Sequence, residues 1–245
     1  DKIELDNEIY IVDQTLFINS SNLTKEQTKK INDIKQLILT IEGPNLQSLE
    51  FLNECKKLST FLKTLSIINL TDPKDYDFHD LSNLQNLYAP NILKANEDKF
   101  RDMYQIRFVE LNNVKILSQY SFYMCYNLET VIIPKVEQIV ESCFCACLQL
   151  SYVEADELIV IGNYCFDLVS SEMYAPKFGG SYEQLTFLKE KKIFQTSTRV
   201  AENDKSMIQI KQLSQKNTKQ LQFVQELQDE FRKCQNMFSF QDDVE

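Results

Sequence analysis

Only four glycines and five prolines occur in 245 residues, and there is no tryptophan. Long flexible linkers are therefore not expected. Lysine and arginine (26) are outnumbered by aspartate and glutamate (36), leaving a formal charge of −10. That balance argues against a nucleic-acid backbone or an anionic membrane as the main partner, because both need clustered basic side chains. The one Lys-rich run, Lys189-Glu-Lys-Lys192, is short. Pure apolar runs such as Val131-Ile-Ile133 are far too short to cross a bilayer, so no membrane insertion is expected. No signal peptide is visible at Asp1; the chain starts without Met, which leaves a trimmed leader open.

Signs of catalysis are equally scarce. The single histidine, His79, lies in Asp77-Phe-His-Asp80 and reads as a surface residue of a helical turn. No G-x-S-x-G, P-loop or H-E-x-x-H occurs, so no catalytic residue and no cofactor is assigned and the chain is not read as an enzyme. Cys143-Phe-Cys-Ala-Cys147 is not a C-x-x-C spacing and has no nearby histidine, so it is not read as a metal site. Sequons at Asn19, Asn22 and Asn69 are what an Asn-rich chain produces by chance and lend secretion little weight.

What the chain does have is a period. Phe78, Phe100, Phe122, Phe144 and Phe166 follow one another at intervals of 22 residues. Leu81, Met103, Cys125, Cys147 and Val169 keep that register, as do Leu87, Val109, Val131 and Val153, and Ala89, Leu111, Ile133 and Ala155. Apolar columns at a fixed spacing of 20–29 residues indicate stacked repeats, because no single unit can bury its own apolar face. The cysteines obey the same register. There are seven, an odd number; Cys125 shares a column with Cys147, and Cys143 with Cys165. Cysteine where related units hold Met or Leu behaves as a small buried hydrophobe. This favours a reducing, cytoplasmic setting, with the cell surface or secretion as the alternative.

Four segments follow. Residues 1–38 form an N-terminal cap, with one or two short strands and a helix from Lys25, signalled by the capping-box spacing of Thr24-Lys-Glu-Gln27. Residues 39–178 are the repeats, degenerate over 39–58, slipping around Phe61-Leu62, and ending on a last strand at Met173-Tyr-Ala-Pro176. Within one unit, Val131 and Ile133 share a strand face by the period of two, and Pro134 ends the ladder. Ser142–Cys147 then reads as a helical turn across the core. Residues 179–200 form a C-terminal cap, in which Ile193-Phe194 packs on the last repeat. Residues 201–245 carry a long helix from about Asn203 to Phe238, free of Gly and Pro. Its Ile210, Leu213, Val224, Leu227, Phe231, Cys234 and Phe238 fall on a and d heptad positions. Self-association as a coiled coil, folding back as a cap, and docking on another protein all suit that seam.

Ile139-Val-Glu-Ser-Cys-Phe-Cys-Ala-Cys-Leu-Gln-Leu-Ser-Tyr-Val153 and Ile161-Gly-Asn-Tyr-Cys-Phe166 resemble the BspA-type, or Treponema-type, leucine-rich repeat. Its pattern is roughly I-G-x-x-A-F-x-x-C-x-x-L-x-x-V-x-I-P. The match is good over 80–178, weaker over 39–79, and absent from 1–35 and 180–245. The chain departs in placing Cys for Ala before Phe144 and Phe166 and in keeping the Gly only at Gly162. The resemblance implies an α/β solenoid: an arc of about six 22-residue units with short parallel strands on its concave face. It also implies recognition, members being often surface or adhesive proteins.

The register puts two outward columns on those strands, Thr64, Asn86, Phe108, Thr130, Tyr152 and Glu172 beside Ser66, Tyr88, Glu110, Ile132, Glu154 and Tyr174. Aromatics with carboxylates are the contact chemistry of a protein or peptide partner with some basic character. The candidate partner-binding residues are Tyr88, Phe108, Glu110, Thr130, Ile132, Tyr152, Glu154 and Tyr174. Side-by-side packing along the repeats is the plainer account of the same residues. A protein-interaction module is the functional expectation. A surface adhesion protein, or a structural component docked into a larger cytoskeletal assembly by the last helix, is the alternative.

Overall fold

The computed structural model describes residues 2–73, 76–169, 172–175, 177–178 and 193–194. The chain divides into units 1–195 and 196–245, and the second lies outside the described residues. So do the long helix and coiled-coil seam read from its sequence, and all of 179–200 except Ile193-Phe194.

The first strands are β1 (Lys2–Glu4), β2 (Ile9–Val12) and β3 (Thr15–Ile18), joined antiparallel. Helix α1 (Lys25–Asn32) follows, and both halves of its capping box form. The Thr24 side chain accepts from the Gln27 N–H, and the Gln27 side chain accepts from the Thr24 N–H. Buried Thr28 and Ile31 turn it onto the core. From β4 (Thr40–Glu42) onward every strand of the main sheet is parallel to the last. These are β5 (Thr64–Ser66), β6 (Asn86–Tyr88), β7 (Phe108–Glu110), β9 (Thr130–Ile132), β11 (Tyr152–Glu154), β13 (Glu172–Tyr174) and β14 (Ile193–Phe194). Ile193-Phe194 thus continues the sheet as a further parallel strand beside β13.

The irregular opening of the repeats has a physical cause. Ile41 pairs with Leu65, a step of 24 residues, whereas Leu65, Leu87, Val109, Val131 and Val153 follow at 22. The extra chain is taken up by two short helices, α2 (Phe51–Glu54) and α3 (Lys56–Phe61), which end the coil where the register slips. Each of those inward residues is fully buried.

Behind the strands the five phenylalanines form one interior row. Consecutive ring centroids lie 4.8, 5.0, 5.3 and 5.3 Å apart from Phe78 to Phe166. None of the rings is more than 3% exposed. The cysteine column beside it has a role that Leu could not fill. Cys125 Sγ donates to the carbonyl of Phe100, and Cys147 Sγ to that of Phe122, each at 3.0 Å. In the other cysteine column, Cys165 Sγ donates to Val140 O at 2.9 Å. A small apolar side chain that also satisfies a buried carbonyl suits these positions.

The turn beside the rings is not helical, contrary to the sequence expectation for Ser142–Cys147. Alternate N–H groups point to the following coil, Ser142 to Asn163 O (2.9 Å), Phe144 to Cys165 O (2.8 Å) and Ala146 to Asp167 O (3.0 Å), while Cys145 and Cys147 donate back to Ser142 O and Phe144 O. To aim alternate amides that way the backbone enters the left-handed region twice per coil. Asp98, Tyr120, Ser142 and Tyr164 do so at one position, and Asp102, Met124, Ala146 and Leu168 at another, with φ between 55 and 62°. None is glycine, so the sequence carried no sign of it. Left-handed backbone costs an L-residue about 1–2 kcal/mol, more than the entropy a glycine loses. Leu168→Gly, at a side chain 70% exposed, is therefore expected to raise stability by roughly 0.5–1 kcal/mol. Urea unfolding would show it, and a destabilised variant would mean the strain is illusory.

A second ladder escaped the sequence reading altogether. Segments β8 (Ile116–Leu117), β10 (Gln138–Ile139) and β12 (Val160–Ile161) pair in parallel, with Leu117, Ile139 and Ile161 facing in. Two residues per strand are too few for a periodic signal.

Candidate interaction face

The outward columns are longer than their sequence reading. Across the main sheet, Phe17, Glu42, Ser66, Tyr88, Glu110, Ile132, Glu154 and Tyr174 are successive register partners. Beside them run Thr15, Thr40, Thr64, Asn86, Phe108, Thr130, Tyr152 and Glu172. Tyr10 extends the first column through β2 and stacks on Phe17, centroids 4.9 Å apart and rings 11° from parallel. Tyr10, Phe17 and Glu42 were missed because the columns were traced only where the step is 22. The alternation in Thr15-Leu-Phe-Ile18 was the available signal.

All eight candidate residues occupy one face of the sheet, but they are not equally available. Tyr88, Phe108 and Glu154 are half-buried. Glu110, Thr130, Ile132 and Tyr152 are buried, at 6–7% exposure. Rungs about 4.8 Å apart let large side chains cover their neighbours. Tyr174 stands at its place in the register. Tyr88 and Phe108 meet diagonally, with centroids 5.1 Å apart and planes tilted by 35°. The Tyr152 hydroxyl donates to Glu154 Oε2 at 3.0 Å, and Asn112 Nδ2 donates to Glu110 Oε1 at 2.8 Å.

Burial acts on the carboxylates of this face. It pushes Glu42 up to about 7, opposed by the nearby Ser66 hydroxyl. Glu110 is raised too, first by burial, with the charge of Glu154 adding to it and Asn112 opposing. The face therefore holds carboxylates that water serves poorly.

Other candidate chemistry stays apart from it. His79 lies exposed on a 3₁₀ turn, Phe78–Asp80, with Nε2 3.5 Å from Asp80 Oδ1. Burial raises the Cys143 and Cys147 thiols well above their ordinary range, which makes them poor nucleophiles and poor ligands. Among the described residues no group of three or more His, Cys, Asp or Glu could hold a metal ion. Among them, too, no helix is long and apolar enough to cross a membrane.

Against known families, residues 59–172 match the BspA type leucine rich repeat region in six copies. Those residues are BspA-type leucine-rich repeats. The face just described thus belongs to that repeat region from β5 to β11, and Tyr10, Phe17 and Glu42 extend it beyond the matched residues. No curated protein matches the chain. Among solved structures, a leucine rich cell surface protein from Faecalibacterium prausnitzii A2-165 is similar at 14% identity. The match covers 73% of this chain and 77% of that one, with a TM-score of 0.26. At that score the likeness carries no functional argument.

Proposed function

We propose that this chain is a non-enzymatic recognition protein, a leucine-rich-repeat solenoid that binds a protein or peptide on its strand face. The half-exposed Tyr88–Phe108 pair carries the reading. It is a rigid aromatic contact pair set among carboxylates, on repeats of a kind that generally bind proteins. Tyr152 is less suited to the same task because it is buried. The informative variant is therefore Tyr88→Ala with Phe108→Ala, leaving Tyr152 in place. Affinity capture from the source cell should lose its partner by about tenfold or more with that variant, the change expected when an interface anchor is removed. Retained capture by a folded variant would move the site off this face.

Display at the cell surface, or secretion, is the location we carry forward, because it is what the repeat family implies. The cytoplasmic reading rested on cysteine usage, and the structure supplies a different reason for it. The column thiols are buried and donate to carbonyls of the neighbouring coil, which accounts for them whatever the compartment. Membrane-impermeant biotin on intact cells separates the two: a labelled chain supports surface display, and labelling only after lysis favours the interior.

A further inference from the structure

The strand face contains a worked example of what it can hold. At its first aromatic pair, Lys2 Nζ lies 4.6 Å from the centroid of Tyr10, which stacks on Phe17. The same ammonium is 2.7 Å from Glu4 Oε1. An ammonium over an aromatic face with a carboxylate at hand combines cation–π attraction with ion pairing.

The second aromatic pair repeats two of those three parts. Tyr88 meets Phe108 with its ring tilted by 35°, and Glu110 is the register partner of Tyr88 on the next strand. Glu154 stands two strands further along the same column, about 10 Å away at the rung spacing. The third part is not supplied by the face itself. From β2 to β13 neither outward column contains a Lys or Arg, while Glu42, Glu110, Glu154 and Glu172 all stand in them.

We infer that the Tyr88–Phe108 pair, with Glu110 and Glu154, is a seat for a lysine or arginine side chain presented by the partner protein. Glu110 and Glu154 repel one another across the rungs, and a guest cation relieves both. Tyr88 and Phe108 give the guest's aliphatic stem an apolar wall, Glu110 is the adjoining carboxylate, and Glu154, two strands beyond Glu110, is the more exposed one. This rests on the strand face being the binding face, and it adds what that face selects.

Random decapeptides displayed on phage, panned against the intact chain, separate the two statements. The expected result is enrichment of peptides carrying Lys or Arg. Their binding should weaken about tenfold with Glu154→Gln and at least as much with Glu110→Gln, and be lost with Tyr88→Ala/Phe108→Ala. Glutamine keeps the shape of each carboxylate, and Glu154→Gln alone, at a half-buried site, guards against misfolding at Glu110. Peptides that depend on Tyr88 and Phe108 but show no excess of Lys or Arg would overturn the cation seat and leave the binding face standing. Selected peptides indifferent to Tyr88 and Phe108, or no selected peptides, would overturn both.

Discussion

Phe122→Ala is expected to lower the unfolding free energy by about 3–5 kcal/mol, the usual loss for a buried aromatic cut back to a methyl group. Phe122 is fully buried and stacks on both sides, 5.0 Å from Phe100 and 5.3 Å from Phe144, with planes only 7° apart in each case. One substitution therefore removes two aromatic contacts and leaves a gap that the closed coils above and below cannot fill. The loss is a large part of the roughly 5–15 kcal/mol that holds an ordinary domain. Because each coil touches only its neighbours, the damage should be local. Amide exchange should rise first in the coils containing Phe100 and Phe144, while β2 and β3 keep their protection. Urea titration gives the magnitude, and a loss below about 1 kcal/mol would show that the ring row is not the core.

Glu42→Gln should act with the opposite sign, and only at higher pH. The folded chain holds a proton on Glu42 up to about pH 7, whereas an ordinary glutamate releases it near 4.5. Between those values the folded state binds more protons than the unfolded one, so stability falls as pH rises. The contribution is intact below about 4.5 and gone above about 7. The gap is equivalent to about 3 kcal/mol, and water reaching a half-buried carboxyl reduces this to about 2. Glutamine carries no such charge. The variant should match the parent at pH 4.5 and exceed it by about 2 kcal/mol at pH 8. Parallel stability curves for the two proteins over that range would rule out a desolvated Glu42.

What could be read beforehand followed from side-chain periodicity. The ring row and the inward strand column were visible because one apolar residue recurs every 22 positions. The N-terminus of α1 was visible because Thr24 and Gln27 are matched donors and acceptors. The turn at Ser142–Cys147 was misjudged because its shape is set by amides bonding to the next coil, and no side chain reports that. Similarly, the β8–β10–β12 ladder depends on backbone pairing of two-residue segments. On the strand face, the register gave the outward columns but not the exposure of their side chains. Tyr152 and Glu110 point outward and yet are covered by neighbours. Glu42 was overlooked because α2 and α3 lengthen its coil by two residues and break the count.

Between β7 and β12 both ladders advance by the same step of 22 residues, one through Val109, Val131 and Val153, the other through Leu117, Ile139 and Ile161. Excising or duplicating one whole turn of the chain would keep both in phase. Losing a single residue between them would throw one out of alignment with the other. Within this stretch the protein can therefore change length only in whole-turn increments, and each increment adds or removes one rung of the outward strand face.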